Sequence, residues 1–260
     1  MIDFKSAEAA FEEYLNEYDR DDDKIRLKIV HTYCVVDCVE NIARRMGLPR
    51  EDRELGMLIG LLHDIGRFEQ IKRYDSFMPD TMDHAAYGAA LLFGKQKMIR
   101  RFIEDDRWDG IIETAIARHS DFSLEGVEGE QKLLHARLIR DGDKLDNCRV
   151  KLEESLETLL GVSAREPLKG KLSPAVWEAC LKERSVLSAD RRTKPDYWAS
   201  YLAQLYDVNF PATFSIILEK NYVPRILSRL QYEDEDTRIK MKLLSENLQA
   251  YMRRQTGERN

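Results

Sequence analysis

Residues 55–62, LGMLIGLL, are apolar on every face of a helix, and a helix of that kind is buried. The next two residues are His63 and Asp64, so the chain carries an imidazole and a carboxylate to the end of a core helix. Ile65-Gly66 follow, and the glycine is expected to break the helical pattern. Neighbours inside a regular helix diverge by about a hundred degrees. At a helix end the backbone leaves that geometry, and two adjacent side chains can converge on one point.

Helical period runs through almost every other ordered segment. Residues 24–46 place Ile25, Ile29, Val35, Val36, Val39, Ile42 and Met46 at helical spacing, with Gly47 as the stop and Pro49 as the restart. A polar loop holding Pro79 leads to a helix that begins near His84. The segment WDGIIETAIARHSD is amphipathic with His119 at its C-terminal turn, and QKLLHARLIRDGDKLDN is helical with Asp143 in its final turns. A loop with two glycines and two prolines, residues 161–174, separates this part from a second set of helical stretches, and Ser173-Pro174 resembles an N-cap with proline at the first helical position. Trp198, Tyr201, Leu202 and Leu205 have core spacing and are read as packing. The fold class is therefore all-α, with a first helical domain over residues 20–150 and a helical extension over residues 151–260 packed against it.

Composition narrows the function. The formal net charge of −6 offers no general attraction to nucleic acid. No stretch near twenty apolar residues exists to span a membrane, and the acidic N-terminal segment lacks a charged-then-apolar leader, so a cytoplasmic protein is expected. Cys34, Cys38, Cys148 and Cys180 form no CxxC pair and read as small core side chains, although Cys34 lies three residues after His31. There is no Gly-rich phosphate loop, GxSxG elbow or internal repeat.

The remaining signal is an ordered series: His31, His63-Asp64, His84, His119 and Asp143. Neutral imidazoles with one or two carboxylates on rigid supports satisfy a divalent cation while leaving positions for water. His135 has no place in the series and reads as structural or exposed.

LIGLLHDIGRFEQ, with His31 in VHTYCVVDCV upstream and Asp143 in IRDGDKLDN downstream, resembles the HD-domain metal-dependent phosphohydrolases, whose signature is H…HD…D. The likeness covers about half the chain and implies an HD-domain helical bundle. His84 and His119 match the positions that ligate a second metal in dinuclear members. The resemblance thus implies that His31, His63, Asp64 and Asp143 hold one ion, that His84 and His119 hold another, and that Asp64 bridges them. The cofactors would be two divalent metal ions, from among Fe, Mn, Zn and Mg. The reaction would be hydrolysis of a phosphoester or phosphoanhydride by a bridging hydroxide. The substrate would be a small phosphorylated compound such as a nucleotide, and the GYP run of cyclic-dinucleotide relatives is absent.

Arg67 stands where many relatives carry lysine, and its planar fork suits two phosphate oxygens, while Lys144 follows the terminal aspartate as the family commonly shows. Lys72, Arg73, Arg118 and Arg140 read as solvated or paired. Asp83 and Asp121 flank two histidines and either orient them or serve as caps. Two other classes stay open at this point: a diiron oxygenase, since certain HD-fold oxygenases share the six ligands, and a nucleotide-binding sensor with little turnover. Residues 151–260 could wall the pocket, cover it or form a homodimer surface.

Overall fold

The computed structural model describes residues 2–78, 80–163 and 165–257, which leaves the Pro79 reading outside the described residues. No strand occurs among them. The chain divides into two compact units, residues 1–146 and 147–260.

The first unit starts earlier than the apolar pattern from residue 24 suggests. Helix α1 (Phe4–Leu15) buries Phe11, Tyr14 and Leu15. The rings of Phe11 and Tyr14 meet Phe68 edge-on, with centroids 5.9 and 6.2 Å apart. Asp22 caps α2 (Asp23–Arg45) by accepting from the backbone N–H groups of Lys24 and Ile25, which answers two of the unpaired donors at a helix start. Gly47 turns the chain at φ +68°, and α3 (Arg50–Leu62) begins after Pro49. Leu55, Leu58, Ile59, Leu61 and Leu62 of α3 are wholly buried, as an all-round apolar segment requires.

The helical pattern breaks at His63-Asp64, not at Gly66. Asp64 leaves helical geometry (φ −103°, ψ 17°), and α4 (Ile65–Tyr74) starts at the next residue. Gly66 lies inside α4 and has a different task. A Cβ there would sit 2.2 Å from the carbonyl oxygen of His84, so only glycine lets α4 meet the start of α5 (His84–Phe93). Two short 3-10 turns lead to α6 (Asp109–Arg118), and α7 (Glu130–Glu153) closes the unit. Gly142 plays the same part in α7, where a Cβ would meet Val39 Cγ2 of α2 at 2.5 Å. Helix α7 runs past residue 147, so Asp143 lies well inside it and not in its last turns.

The second unit consists of short helices: α8 (Leu156–Leu160), α9 (Pro174–Leu181), α10 (Lys194–Ala203), α11 (Pro211–Glu219) and α12 (Tyr222–Leu227), with the longer α13 (Glu235–Thr256). Trp198, Leu202 and Leu205 are fully buried with Leu244 and Leu248, so the stripe is core. Ser173 stands at the N-cap of α9 with Pro174 next, yet its hydroxyl does not cap the helix. It donates instead to Asp196, 2.7 Å away, a buried carboxylate that also accepts from the backbone N–H groups of Ser173, Arg192 and Thr193. Leu168 and Tyr232 form an isolated bridge that ties Leu168 to the segment before α13. No helix among the described residues is long and apolar enough to cross a membrane.

Candidate metal centre

Five parts of the first unit deliver polar side chains to one buried place. Helix α2 brings His31, the α3–α4 turn brings His63 and Asp64, α5 begins with His84, α6 ends at His119, and α7 carries Asp143. All four of these histidines are at most 6% exposed.

Two triplets emerge from the distances. The ligand atoms of His31, His63 and Asp64 fall within 4.8 Å of one another, and so do those of Asp64, His84 and His119. Asp64 belongs to both, one oxygen to each. Its Oδ2 lies 3.9 Å from His31 Nε2 and 3.6 Å from His63 Nε2. Its Oδ1 lies 3.2 Å from His84 Nε2 and 3.6 Å from His119 Nε2. Asp143 Oδ1 stands 3.1 Å from His31 Nε2.

The remaining ring nitrogens decide what these imidazoles can bind. His63 Nδ1 donates to the Gly60 carbonyl and His119 Nδ1 to the Ile116 carbonyl, each at 2.7 Å. His31 Nδ1 donates to Asp146 Oδ2, also at 2.7 Å. A neutral imidazole with its proton held at Nδ1 presents a bare lone pair at Nε2. His31 Nε2 and His63 Nε2 are buried without a hydrogen bond. His84 Nε2 and His119 Nε2 lie 3.1 Å apart, so two more ring nitrogens crowd the same space. Buried lone pairs gathered around a carboxylate suit a cation, and the donor set is the nitrogen and oxygen mixture that divalent transition metals take.

The electrostatics agree with that reading for His63 and His84. Burial pushes His63 and His84 down to about 4, against an ordinary 6.5. Burial opposes the charge on Asp64, yet Lys28 and the surrounding histidines hold its carboxyl well below the usual range. Burial and Lys28 also oppose protonation of His31, but the flanking carboxylates of Asp143 and Asp146 prevail and raise it.

A pH dependence follows for the metal-free chain. Folded His63 and His84 stay neutral between pH 6.5 and about 4, whereas the unfolded chain takes up both protons across that window. Their contribution is complete above the unfolded value and is lost as pH falls towards 4. At about 1.4 kcal/mol per pKa unit, the loss approaches 3 kcal/mol for each histidine. His31 shifts the other way, so its contribution is lost only as pH rises above 6.5. Thermal unfolding of chelator-treated protein is therefore expected to move to lower temperature from pH 6.5 to 4; an unchanged midpoint would contradict the burial of these two rings as neutral groups.

The other residues singled out from the sequence fall in varied places. Arg67 does approach Asp64, with Nε 3.5 Å from Oδ1. Its fork is not open, because Nη1 donates to Gln70 Oε1 at 2.6 Å and to the Phe77 carbonyl at 3.1 Å. Lys144 is buried on α7, one position and so about 100° round the helix from Asp143. Asp83 caps α5 by accepting from Ala86 N, and Asp121 pairs with Arg118. Arg140 is buried and donates to the carbonyls of His119 and Asp121, which secures the end of α6. Arg73 pairs with Glu69, and Lys72 donates to the Glu17 carbonyl. His135 is buried with Nε2 3.3 Å from Asp52 Oδ1, a structural contact. Cys34 is half-buried and in neither triplet.

Three functional candidates escape sequence reasoning. Asp146 orients His31, and the one signal for it is its position three after Asp143 on the same helix face. Gln70 is fully buried and holds Arg67 while its Nε2 donates to the Met78 carbonyl and to Thr81 Oγ1. Lys28 reaches Asp64 Oδ2 at 2.5 Å, and only its place one turn before His31 hints at that.

A helical unit that gathers histidines and aspartates from separate helices around one shared carboxylate is a metal-site domain. Residues 29–148 match the HD domain family model, and the chain carries an HD domain, the module of a metal-dependent hydrolase superfamily. HD domains bind divalent metals, and the two triplets are the groups here that could hold them. Comparison with curated proteins and with solved structures returned no match.

Proposed function

We propose that this chain is a phosphohydrolase that uses two divalent metal ions to cleave a phosphoester or phosphoanhydride in a small phosphorylated compound, a nucleotide among them. The observation that carries the proposal is the split use of Asp64, whose Oδ2 faces His31 and His63 while Oδ1 faces His84 and His119. A carboxylate placed this way would give one oxygen to each ion. Bound divalent cations supply Lewis acidity, which makes water nucleophilic near neutral pH and stabilises charge on the attacking and leaving oxygens.

The chain's own residues do the rest. His63 and His119 are fixed by backbone carbonyls, and His31 by Asp146, so the lone pairs are aimed before any ligand arrives. Asp143 adds a carboxylate beside His31 and helps balance the cationic charge. Arg67 lies beside Asp64 with its buried Nε making no hydrogen bond, and an anionic group entering there would find that donor. A substrate role for Lys144 would require an approach along its own side of α7, away from the side that carries Asp143. No serine or cysteine nucleophile is needed.

The test couples metal analysis of gently purified protein to a hydrolysis screen over nucleotides and simple phosphoesters. Release of phosphate or a nucleoside product that tracks metal content supports the proposal. Substrate-dependent oxygen uptake by the iron-loaded, anaerobically prepared protein would move the assignment to an oxygenase. Tight nucleotide binding without product would move it to a sensor.

A further inference from the structure

Lys28 stands outside the ligand series, yet its Nζ lies 2.5 Å from Asp64 Oδ2, the oxygen that also faces His31 and His63. Its side chain is 14% exposed, so the ammonium reaches from the rim of the unit into the centre. Among the described residues its other partner is the Phe77 ring, 5.9 Å away. Arg67 holds the equivalent place beside Oδ1 but is pinned by Gln70 and the Phe77 carbonyl. Lys28 has no such anchor, and its four-carbon stem leaves it free to turn.

An ammonium and a divalent ion on one carboxylate oxygen would set two positive charges side by side. Once Oδ2 serves as a metal ligand, Lys28 has to withdraw towards the rim, where Phe77 lies and no carboxylate replaces Asp64 among the contacts seen. The amine then becomes a cation beside the centre in want of an anion. Its compact charge and three rotatable donors suit phosphoryl oxygens.

We infer that Lys28 is the specificity-determining residue for the substrate's phosphoryl group, engaging Asp64 in the metal-free chain and the anion in the metal-loaded one. The inference rests on the metal-site reading above. It makes metal occupancy and phosphate binding mutually supportive, because each relieves the cost of the other.

Lys28→Met keeps the apolar stem and removes the charge. Titration calorimetry with Mn²⁺, and then with inorganic phosphate on the Mn²⁺-loaded protein, reads both halves. Losing a charge-assisted hydrogen bond is worth about tenfold. Lys28→Met is therefore expected to bind Mn²⁺ about tenfold more tightly and phosphate about tenfold more weakly, with Lys28→Arg restoring phosphate binding. Unchanged or opposite affinities for either ligand overturn the inference.

The wild-type chain supplies an independent check through reductive methylation read by peptide mass spectrometry. Lys28 should resist modification in chelator, react when Mn²⁺ is bound, and be protected again by inorganic phosphate. Equal reactivity in all three states overturns the inference. Neither readout needs turnover, so a chain that hydrolyses nothing defeats the phosphohydrolase reading without touching Lys28, and the reverse also holds.

Discussion

Asp64→Asn is expected to strip the centre of metal and to lower hydrolysis by on the order of 10³, well beyond the 10- to 100-fold cost of losing a supporting partner. The reason is the number of oxygens. Asp64 gives Oδ1 to His84 and His119 and Oδ2 to His31 and His63. An amide has one neutral oxygen, and its NH₂ group is a donor that faces a cation with the wrong polarity. At most one triplet keeps an oxygen ligand, and a weaker one. The same change leaves the Lys28 ammonium without its carboxylate. Elemental analysis and phosphate release read the outcome side by side, and a variant that retained both metal and turnover would remove Asp64 from the centre.

The second large effect separates the two halves. His84→Ala combined with His119→Ala removes both nitrogens on the Oδ1 side and leaves His31, His63, Asp64 and Asp143 in place. Metal content is expected to fall from about two ions per chain to about one, with hydrolysis lost because attacking and leaving oxygens are no longer both clamped. His84 is the first residue of α5, held in place by the close approach of Gly66, and His119 follows α6, so both substitutions alter side chains at helix ends and spare the helix interiors. If the double variant and the parent chain each bound about one ion, the centre would be mononuclear. His84 and His119 would then be supporting groups.

Both predictions rest on residues that stand out in the amino-acid sequence. The His-Asp pair after an apolar helix, and the order of the flanking histidines, are local features, and periodicity places each on a helix or at its end. The helix over residues 24–46, the restart after Pro49 and the start of α5 at His84 are legible for the same reason. Proline, glycine and short polar side chains act on their immediate backbone. Gly66 misleads because a glycine just past an apolar helix looks, in sequence, like a stop. Its actual role is steric, set by the His84 carbonyl at the start of the next helix.

Arg67 shows the same boundary. Its proximity to Asp64 follows from the motif, but its engagement by Gln70 and the Phe77 carbonyl depends on Phe77 returning to α4. Lys144 is adjacent to a ligand in sequence, and helical geometry turns it about 100° away.

By itself, then, the sequence determined the all-α class and the helix end that carries His63 and Asp64, since both depend on local propensity and spacing, while its resemblance to the HD family singled out the six candidate ligands. Only the tertiary structure decided that Asp64 faces two triplets with different oxygens, that Asp146 aims His31, and that Lys28 reaches the shared carboxylate. Those relations join side chains far apart in the chain, and their distances are set by helices packing closely, at Gly66 against α5 and at Gly142 against α2. No pattern along one stretch of sequence encodes such a crossing, because it is the product of two helices fitting together.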